Sequence, residues 1–338
     1  MKKKERIVSS ESISQEEIND YALRPRFLDQ FIGQKKLKDN LKVFIEAAKK
    51  RNESLDHLLL HGPPGLGKTT LAHIIANEIG SNIKTVQAPI LEKTGDIAAH
   101  LTSLNDKDVF FIDEIHRLKV AIEELLYSAM EDFKLDIVIG QGAGAKCVKI
   151  PLPRFTLIGA TTKAGLLTSP FYARFGITDR LDFYDDKLLK EVVLRSAKLM
   201  KIKIDDESAF EIARRSRGTP RVVNRIMRRI RDFAEVEGNG EININIAKSS
   251  LTKLDIDENG LDMMDRRLLN VIIEKYQGGP VGLETLAVTI GETTDTIEDV
   301  YEPFLIQKGF LVRTPRGRMV TPFCYQYFGI KEKESFLF

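Results

Sequence analysis

The 338-residue sequence has little cysteine, almost no net charge and no long apolar run. Its two cysteines, Cys147 and Cys324, lie far apart, which excludes a disulfide framework or a zinc site and favours a reducing cytoplasm. Because the net charge is only +2, any surface for nucleic acid must come from local separation of charge. No stretch approaches the length of a membrane span, and the charged first residues lack the apolar segment of a signal peptide. We therefore expect no membrane association.

A phosphate-loop pattern is present near the start of the chain. An apolar run at 58–60 leads into GPPGLGKTT at 62–70, which fits G-x-x-x-x-G-K-[ST] at every required position. An apolar helix pattern follows, so the strand, turn and helix that this motif needs are all predicted. Lys68 is expected at the β- and γ-phosphates, and Thr69 at Mg²⁺. The predicted nucleotide-binding residues of the loop are Gly62, Gly65, Gly67, Lys68, Thr69 and Thr70.

Two acids and a threonine follow later apolar runs. Asp113 and Glu114 end the run at 109–112, where Asp113 is predicted to hold Mg²⁺ and Glu114 to deprotonate the attacking water. Thr161 ends another buried run, and in a parallel sheet it lies beside them, within reach of the water or the γ-phosphate. His116 is interpreted as a supporting or structural residue.

Two arginines are candidates for contact with the γ-phosphate. Arg174 lies in a loop with no acid before Asp179, and such an unpaired guanidinium suits insertion into the active site of a neighbouring subunit. Arg221 follows Thr219 and Pro220, a helix start, within a region predicted to contain only helices. It is expected to reach the γ-phosphate across a domain cleft. The nearby arginines of the same helix are interpreted as a solvated face.

Two further segments offer binding surfaces. The irregular segment 23–34 provides Leu23 for apolar contact and Arg24 for stacking on a nucleotide base, although an ordinary loop before the first helix remains the alternative. Residues 135–150 predict a hairpin, which is either a docking element or an extension of the sheet. Its candidate docking residues are Ile137, Ile139 and Val148.

The last part of the chain separates its charges sharply. Three predicted helices, the third at about 294–308, precede a hairpin at 310–321, which is the order of a winged helix, a frequent DNA-binding module. Residues 284–302 hold six acids and no base. Because phosphates repel an acidic helix, we expect the wing to contact DNA, at the sugar-phosphate backbone of the duplex. The alternative is a wing that contacts protein. The wing's candidate DNA-binding residues are Arg313, Arg316 and Arg318.

Together these motifs resemble the AAA+ ATPases, and among them the bacterial motors that drive branch migration of Holliday junctions. The likeness runs from about Leu23 to Thr321 and includes LRPRFLDQFIGQ, GPPGLGKTTLA, FFIDEIHRL, GTPRVVNR and RTPRGR. The resemblance implies a DNA-dependent ATPase of recombination and repair that uses ATP and Mg²⁺. It also implies that the subunits form a ring, expected to be a hexamer, on duplex DNA. Two partners are implied: a junction-binding protein, which docks on the hairpin, and a resolvase.

The resemblance also implies roles for individual residues. Thr161 becomes sensor 1, Arg174 the arginine finger and Arg221 sensor 2. Tyr184 joins Leu23 and Arg24 at the adenine, and Glu131, Asp132 and Phe133 lie near the neighbour's nucleotide. The sequence departs from the family where Phe171-Tyr172 replaces Leu-Arg, which leaves Arg174 as the only finger candidate of its loop, and where Lys163 replaces Arg.

The predicted fold is α/β: a P-loop domain with a parallel sheet, a small helical lid and a C-terminal winged helix. The expected limits are 1–20 for a flexible tail, 21–183 for the ATPase domain with its hairpin insertion 135–150, 184–256 for the lid and 257–338 for the winged-helix head. A replication initiator that uses ATP binding as a switch, and a clamp-loader subunit, are the alternatives from other classes. The exposed hairpin and the basic wing disfavour the clamp loader.

Overall fold

The computed structural model describes residues 23–139 and 146–330, with no side-chain description at 137–139 and 146–147. The predicted tail and the hairpin tip therefore lie outside the described residues, as do the side chains of Ile137 and Ile139. Within the described ranges, no helix is long and apolar enough to cross a bilayer.

The strands of the first domain are β1 (Leu58–His61), β2 (Ile83–Gln87), β3 (Val109–Asp113), β4 (Lys134–Ile139), β5 (Lys146–Pro151), β6 (Thr156–Thr161) and β7 (Ile177–Arg180). Five of them form a parallel sheet at its centre, in the order β2-β3-β6-β1-β7. Leu58 and Leu60 of β1 pack in one hydrophobic cluster and Leu59 in another, so both faces are covered, as expected for a parallel sheet.

The helices of this domain bury an apolar stripe on either side of the sheet. Leu41 and Ile74 belong to the same cluster as Leu58, whereas Ile122 and Leu126 pack with Leu59. The helices are α1 (Lys35–Arg51), α2 (Lys68–Ile79), α3 (Thr94–Thr102), α4 (Val120–Glu131) and α5 (Ser169–Tyr172). Because the strands are parallel, their carboxyl ends meet at one edge, where Asp113 of β3 and Thr161 of β6 lie.

The second domain is a helical lid that also contains two short strands. The prediction of helices alone was wrong in this detail, since β8 (Lys203–Ile204) and β9 (Glu241–Ile242) pair in parallel and join the ends of two helices. Segments of two residues are too short to show a periodic pattern. The lid helices are α6 (Asp186–Met200), α7 (Asp206–Arg214), α8 (Pro220–Glu237) and α9 (Ile244–Lys253).

The third domain has the predicted winged-helix order, with two differences from expectation. The third helix contains a π-helical turn, Ile297–Tyr301, just before Pro303, which has no N–H for a regular helical hydrogen bond. A final helix, which we did not predict, packs Phe323 and Tyr327 on Phe310, with ring centroids 4.9 and 5.3 Å apart. The elements of this head are α10 (Met263–Tyr276), α11 (Leu283–Ile290), α12 (Thr294–Thr296), α13 (Glu302–Gln307), β10 (Leu311–Thr314), β11 (Gly317–Val320) and α14 (Pro322–Phe328).

Candidate active site

The phosphate loop connects β1 to α2 at the carboxyl edge of the sheet. Gly62, Gly65 and Gly67 have φ angles of 132°, 80° and 102°, a region that other residues rarely occupy. A Cβ atom at Gly62 would lie 2.4 Å from the carbonyl oxygen of Leu181, and one at Gly67 would lie 3.0 Å from the ring of Phe31. The loop therefore needs glycine for its backbone conformation and for the close approach of its neighbours.

Lys68 begins α2 with its ammonium group held over this loop. Its Nζ donates hydrogen bonds to the carbonyl oxygens of Gly62 at 2.7 Å and Pro63 at 2.9 Å. Burial lowers the pKa of Lys68, opposed by the carboxylates of Glu114 and Asp113. The lysine thus lies where the loop's backbone N–H groups and its own charge favour phosphate oxygens.

Thr69 and Asp113, the two predicted magnesium ligands, are in contact. The Thr69 hydroxyl donates to Oδ2 of Asp113 at 3.1 Å, and Oδ1 of the same carboxylate accepts from the backbone N–H of Glu114 at 3.0 Å. In the described part of the chain, no group of three or more His, Cys, Asp or Glu residues is placed to hold a metal. Two oxygen ligands fit Mg²⁺, which takes one or two protein oxygens and completes its shell with phosphates and water.

Glu114, His116 and Thr161 form a small polar cluster beside the phosphate loop. Nδ1 of His116 lies 3.3 Å from Oε2 of Glu114 and 2.9 Å from Oγ1 of Thr161. Burial lowers the pKa of His116. Sequence reasoning gave His116 only a supporting role, and the structure places it between the predicted base and the predicted sensor.

The lid reaches the phosphate loop at the start of α8. The Thr219 hydroxyl caps this helix by accepting from the N–H of Val222. The backbone N–H of Arg221 donates to the carbonyl oxygen of Gly65 at 3.4 Å, and a Cβ at Gly65 would lie 3.2 Å from Cβ of Arg221. Arg221 is exposed, so its side chain is available at the cleft between the lid and the loop.

The predicted adenine-contacting residues are brought only partly together. Tyr184 is buried, with its ring against Gly33, and Leu23 is buried with its carbonyl oxygen accepting from Arg195 at 2.6 Å. Arg24 instead lines a cavity of about 550 Å³ beside α2, and Tyr184 is not part of its wall. Thr70 lines the same cavity as Arg24.

Arg174 has an ion partner that lies outside its own loop. Its NH2 group lies 3.1 Å from Oε2 of Glu131, and NH1 donates to the carbonyl oxygen of Pro170 at 2.8 Å. The guanidinium carbon lies 4.4 Å from the ring centroid of Tyr127, while Nε is buried with no hydrogen-bond partner in the described part of the chain. The predicted finger and Glu131 therefore share one surface.

Asp132 and Phe133 differ in exposure although they are adjacent. Asp132 is exposed, whereas the partly buried Phe133 packs inward, with its ring centroid 6.1 Å from that of His57 and 5.9 Å from that of Phe155. A contact of Phe133 with a neighbour's nucleotide stays a prediction.

Two of the three wing arginines are engaged within the head. Arg313 and Arg318 both pair with Glu302, which is fully buried, and Arg318 has a side chain only 12% exposed. Arg316 lies exposed at the wing turn and has no partner among the residues that the structure describes. The acidic third helix is thus the counter-charge of the wing. DNA contact by Arg313 and Arg318 stays a prediction that requires them to exchange a carboxylate for a phosphate.

The hairpin β4–β5 is antiparallel, as predicted, from Lys134 opposite Pro151 to Ile139 opposite Lys146. Leu135 is fully buried and anchors its base to the sheet domain, while Val148 is 39% exposed. The exposed valine is compatible with docking, which stays a prediction.

Arg217 is a functional candidate that the sequence did not single out. It lies in the lid, four residues before Arg221, and its guanidinium pairs with Asp262 at 3.0 Å and Asp265 at 3.1 Å in the head. It also lies 4.6 Å from the ring centroid of Phe304. Burial raises the pKa of Asp265 to about 7, opposed by Arg217. The segment that leads into α8 is therefore tied directly to the head.

The fold and the site define a P-loop ATPase of the AAA+ class with a helical lid and a winged-helix head. Three family models cover almost all of the described chain: the Holliday junction DNA helicase RuvB P-loop domain at 23–181, the RuvB AAA lid domain at 184–257 and the RuvB C-terminal winged helix domain at 258–329. The chain belongs to the RuvB family.

Solved structures of RuvB from Thermotoga maritima agree with this assignment. The structure described as the RuvB Holliday junction branch migration motor is 52% identical, with a TM-score of 0.85, covering 92% of this chain and 99% of that one. A proline-to-glycine variant of the same protein is 53% identical, also with a TM-score of 0.85, covering 91% of this chain and 99% of its own. The match extends over the ATPase domain, the lid and the head.

Proposed function

We propose that this protein is an ATP-driven motor that moves along duplex DNA and migrates the branches of Holliday junctions in recombination and repair. The observation that carries the proposal is a connection from the nucleotide site through the lid to the head, which bears the basic wing. The backbone N–H of Arg221 donates to Gly65 of the phosphate loop, and Arg217 in the same lid segment forms an ion pair with Asp265 of the head. Family membership supports the same activity.

The chemistry assigned to the site is hydrolysis of the terminal phosphate of ATP. The loop amides and Lys68 bind and orient the phosphates, and Glu114 accepts the proton of the attacking water. Thr69 and Asp113 would hold Mg²⁺, which neutralises charge on the transferring phosphoryl group when bound. Thr161 contacts the water or the γ-phosphate and distinguishes ATP from ADP.

The assembly we propose is a hexameric ring with ATP between neighbours. Arg174 of one subunit reaches the γ-phosphate held by the next, beside Glu131 and Asp132. The hairpin docks the junction-binding protein RuvA through Val148 and its neighbours, and the resolvase RuvC acts on the same junction. We assign the domain limits 21–183, 184–256 and 257–338, and a cytoplasmic location in keeping with the buried free thiol of Cys324.

The stroke follows from the loss of the γ-phosphate. Thr161 and Arg221 then lose the group they contact, so the closed position of the lid is no longer favoured. Arg217 and its carboxylate partners carry the head with the lid, and the wing moves along the DNA backbone. The driving force is the different affinity of the two lid positions for ATP and ADP.

Dissociation of a synthetic four-way junction into two duplexes tests this function. With RuvA present, we expect dissociation that requires ATP and Mg²⁺ and continues over many turnovers. A single turnover per DNA-binding event, with no strand exchange, would instead indicate that ATP binding acts as a switch, as in a replication initiator.

Arg316→Ala is expected to weaken binding to duplex DNA equally for unrelated sequences. Loss of one phosphate contact reduces the slope of log K against log salt by ~0.9. Titration of labelled duplexes at several salt concentrations measures this slope. Arg267→Ala, an exposed arginine on α10, is the matched control and should leave the slope unchanged. An unaltered slope in Arg316→Ala would remove this residue from the DNA contact.

A further inference from the structure

Lys163 contacts the ATPase domain through its backbone and the head through its side chain. Its backbone N–H donates to Oγ1 of Thr161 at 2.9 Å, in the ATPase domain. Its Nζ lies 3.2 Å from Oε2 of Glu298 and 3.2 Å from Oδ1 of Asp299, both in the head. Asp295 lies at the edge of the same group, 4.0 Å away. One residue therefore fixes the sensor hydroxyl and holds the acidic π-helical turn of the head.

On the ATPase side, the contact continues to the predicted base. Oγ1 of Thr161 is shared between the N–H of Lys163 and the ring of His116, which in turn lies 3.3 Å from Glu114. The Thr162 hydroxyl also donates a hydrogen bond to the Glu114 carboxylate, at 3.4 Å. Lys163 is thus linked through Thr161 and His116 to the carboxylate of Glu114.

On the head side, the contact continues to the wing. Oε1 of Glu298 lies 3.2 Å from NH1 of Arg313 and 3.8 Å from NH2 of Arg318, while its other oxygen faces Lys163. Glu298 is therefore shared between the ATPase domain and the two wing arginines. DNA phosphates that bind these arginines must compete with Glu298 and Glu302 for them.

The space around this contact faces the phosphate loop. A cavity of about 530 Å³ separates the head from the loop, with Pro63, Pro64, Lys163, Asp299 and Arg313 in its wall. The side chains of Lys163, Glu298 and Asp299 are 26%, 29% and 34% exposed, so their pairing is less screened than that of fully exposed charges. Burial alone would lower the pKa of Lys163, but the hydrogen bonds to Asp299 and Glu298 outweigh it and raise that pKa.

We propose that Lys163 is a positioning residue that couples DNA contact at the wing to the alignment of Glu114 and Thr161 at the nucleotide. When phosphates withdraw Arg313 and Arg318 from Glu298, the charge balance at the Lys163 contact changes, and the sensor threonine and His116 respond. The inference rests on the proposed motor function and deepens it, since it names how DNA regulates hydrolysis.

Such coupling is reciprocal by thermodynamic linkage. If DNA changes the affinity for an ATP analogue by a given factor, the analogue must change the affinity for DNA by that same factor. Coupling between two sites usually corresponds to about 5- to 150-fold in affinity. This reciprocity holds for affinities and not for kcat, so the effect of DNA on the ATPase rate is a separate readout of the coupling.

Lys163→Met is the variant that tests the proposal. We expect two ratios to fall together toward one. The first is the ATPase rate measured with duplex DNA divided by the rate measured without it. The second is the DNA dissociation constant measured without a non-hydrolysable ATP analogue divided by the constant measured with it. The ratio of dissociation constants should drop by about fivefold or more, the lower end of typical coupling, and the ratio of ATPase rates should fall with it. Steady-state kinetics and fluorescence anisotropy measure them.

Three further variants sharpen the test. Lys163→Arg should keep both ratios, because a guanidinium also pairs with carboxylates. The double variant Lys163→Glu, Asp299→Lys restores an ion pair of opposite polarity and should recover them in part. Lys190→Met removes a comparable ion pair within the lid, 2.6 Å from Asp206, and should change neither ratio.

The outcomes separate this inference from the proposed function. DNA stimulation in the unaltered protein that persists fully in Lys163→Met overturns the coupling role alone, as does failure of Lys163→Arg to preserve it. Absence of DNA stimulation in the unaltered protein overturns the motor function and the coupling with it.

Discussion

Replacing Arg174 with alanine is expected to lower kcat for ATP hydrolysis by about 10³- to 10⁵-fold, the range for an arginine finger supplied in trans. Negative charge spreads over the phosphoryl oxygens in the transition state, and a guanidinium placed there stabilises it more than the ground state. Affinity for ATP should be nearly unchanged, because Lys68 and the loop amides remain. Steady-state hydrolysis and equilibrium binding of a fluorescent ATP analogue measure the two effects separately.

The structure gives a physical reason to expect Arg174 to be available to a neighbour. Its ion pair with Glu131 involves a carboxylate with a side chain 67% exposed, and exposed pairs contribute only about 0–1 kcal/mol. Its Nε is buried without a partner in the described residues, which leaves one donor unused. A phosphate is therefore a stronger partner than the groups that hold Arg174 here.

Mixing two inactive variants distinguishes action in trans from a role within one subunit. A ring of Arg174→Ala and Glu114→Gln subunits contains interfaces that combine an intact Glu114 with an intact Arg174 from its neighbour. We expect the mixture to recover part of the activity that neither variant has alone. Arg51→Ala, an exposed arginine of α1, is the control for general loss of charge. Normal turnover by Arg174→Ala, or no recovery on mixing, would contradict the shared site.

The sequence was sufficient for the parts of the site that depend on local pattern. The phosphate loop, the acids that end β3 and the threonine that ends β6 each follow an apolar run, and parallel pairing brings such strand ends together. The N-cap at Thr219 and Pro220 at the first helical position likewise marked the start of α8 correctly. These features need only neighbouring residues to be recognised.

The contacts between residues far apart in the sequence could not be obtained in that way. Arg174 meets Glu131 across 43 residues, Arg217 meets Asp265 across 48, and Lys163 meets Glu298 across 135. In each case the charge pattern indicates that a partner is needed but not which carboxylate supplies it. The packing within the ATPase domain decides the first pairing, and the relative placement of the domains decides the other two.

The acidic third helix shows how charge can be interpreted only in part from sequence. Its four acids argue against insertion into a DNA groove, since phosphates repel them. Their positive role appears only in the structure, where Glu302 and Glu298 hold the wing arginines and Glu298 also holds Lys163. The helix therefore competes with DNA for the wing and connects the wing to the ATPase domain.

Glu114→Gln should lower kcat for ATP hydrolysis by about 10²- to 10⁴-fold, the usual contribution of a general base. The amide has nearly the same shape as the carboxylate and can keep the contact with Thr162, but it cannot accept the proton of the attacking water. ATP binding should persist, so the ring should remain in its ATP-bound state on DNA. Single-turnover hydrolysis and the lifetime of the DNA complex are the measurements, with the exposed Glu46→Gln on α1 as the matched control.

Any residual rate in Glu114→Gln has a specific alternative source in His116. Burial lowers the pKa of this imidazole, so it is neutral and able to accept a proton at pH 7, and it lies 3.3 Å from the carboxylate that the variant removes. A residual activity that disappears in the Glu114→Gln, His116→Ala double variant would assign the remaining proton transfer to His116. Near-normal hydrolysis by the double variant would instead show that neither residue is the base, because no other side chain in the cluster accepts protons near neutral pH.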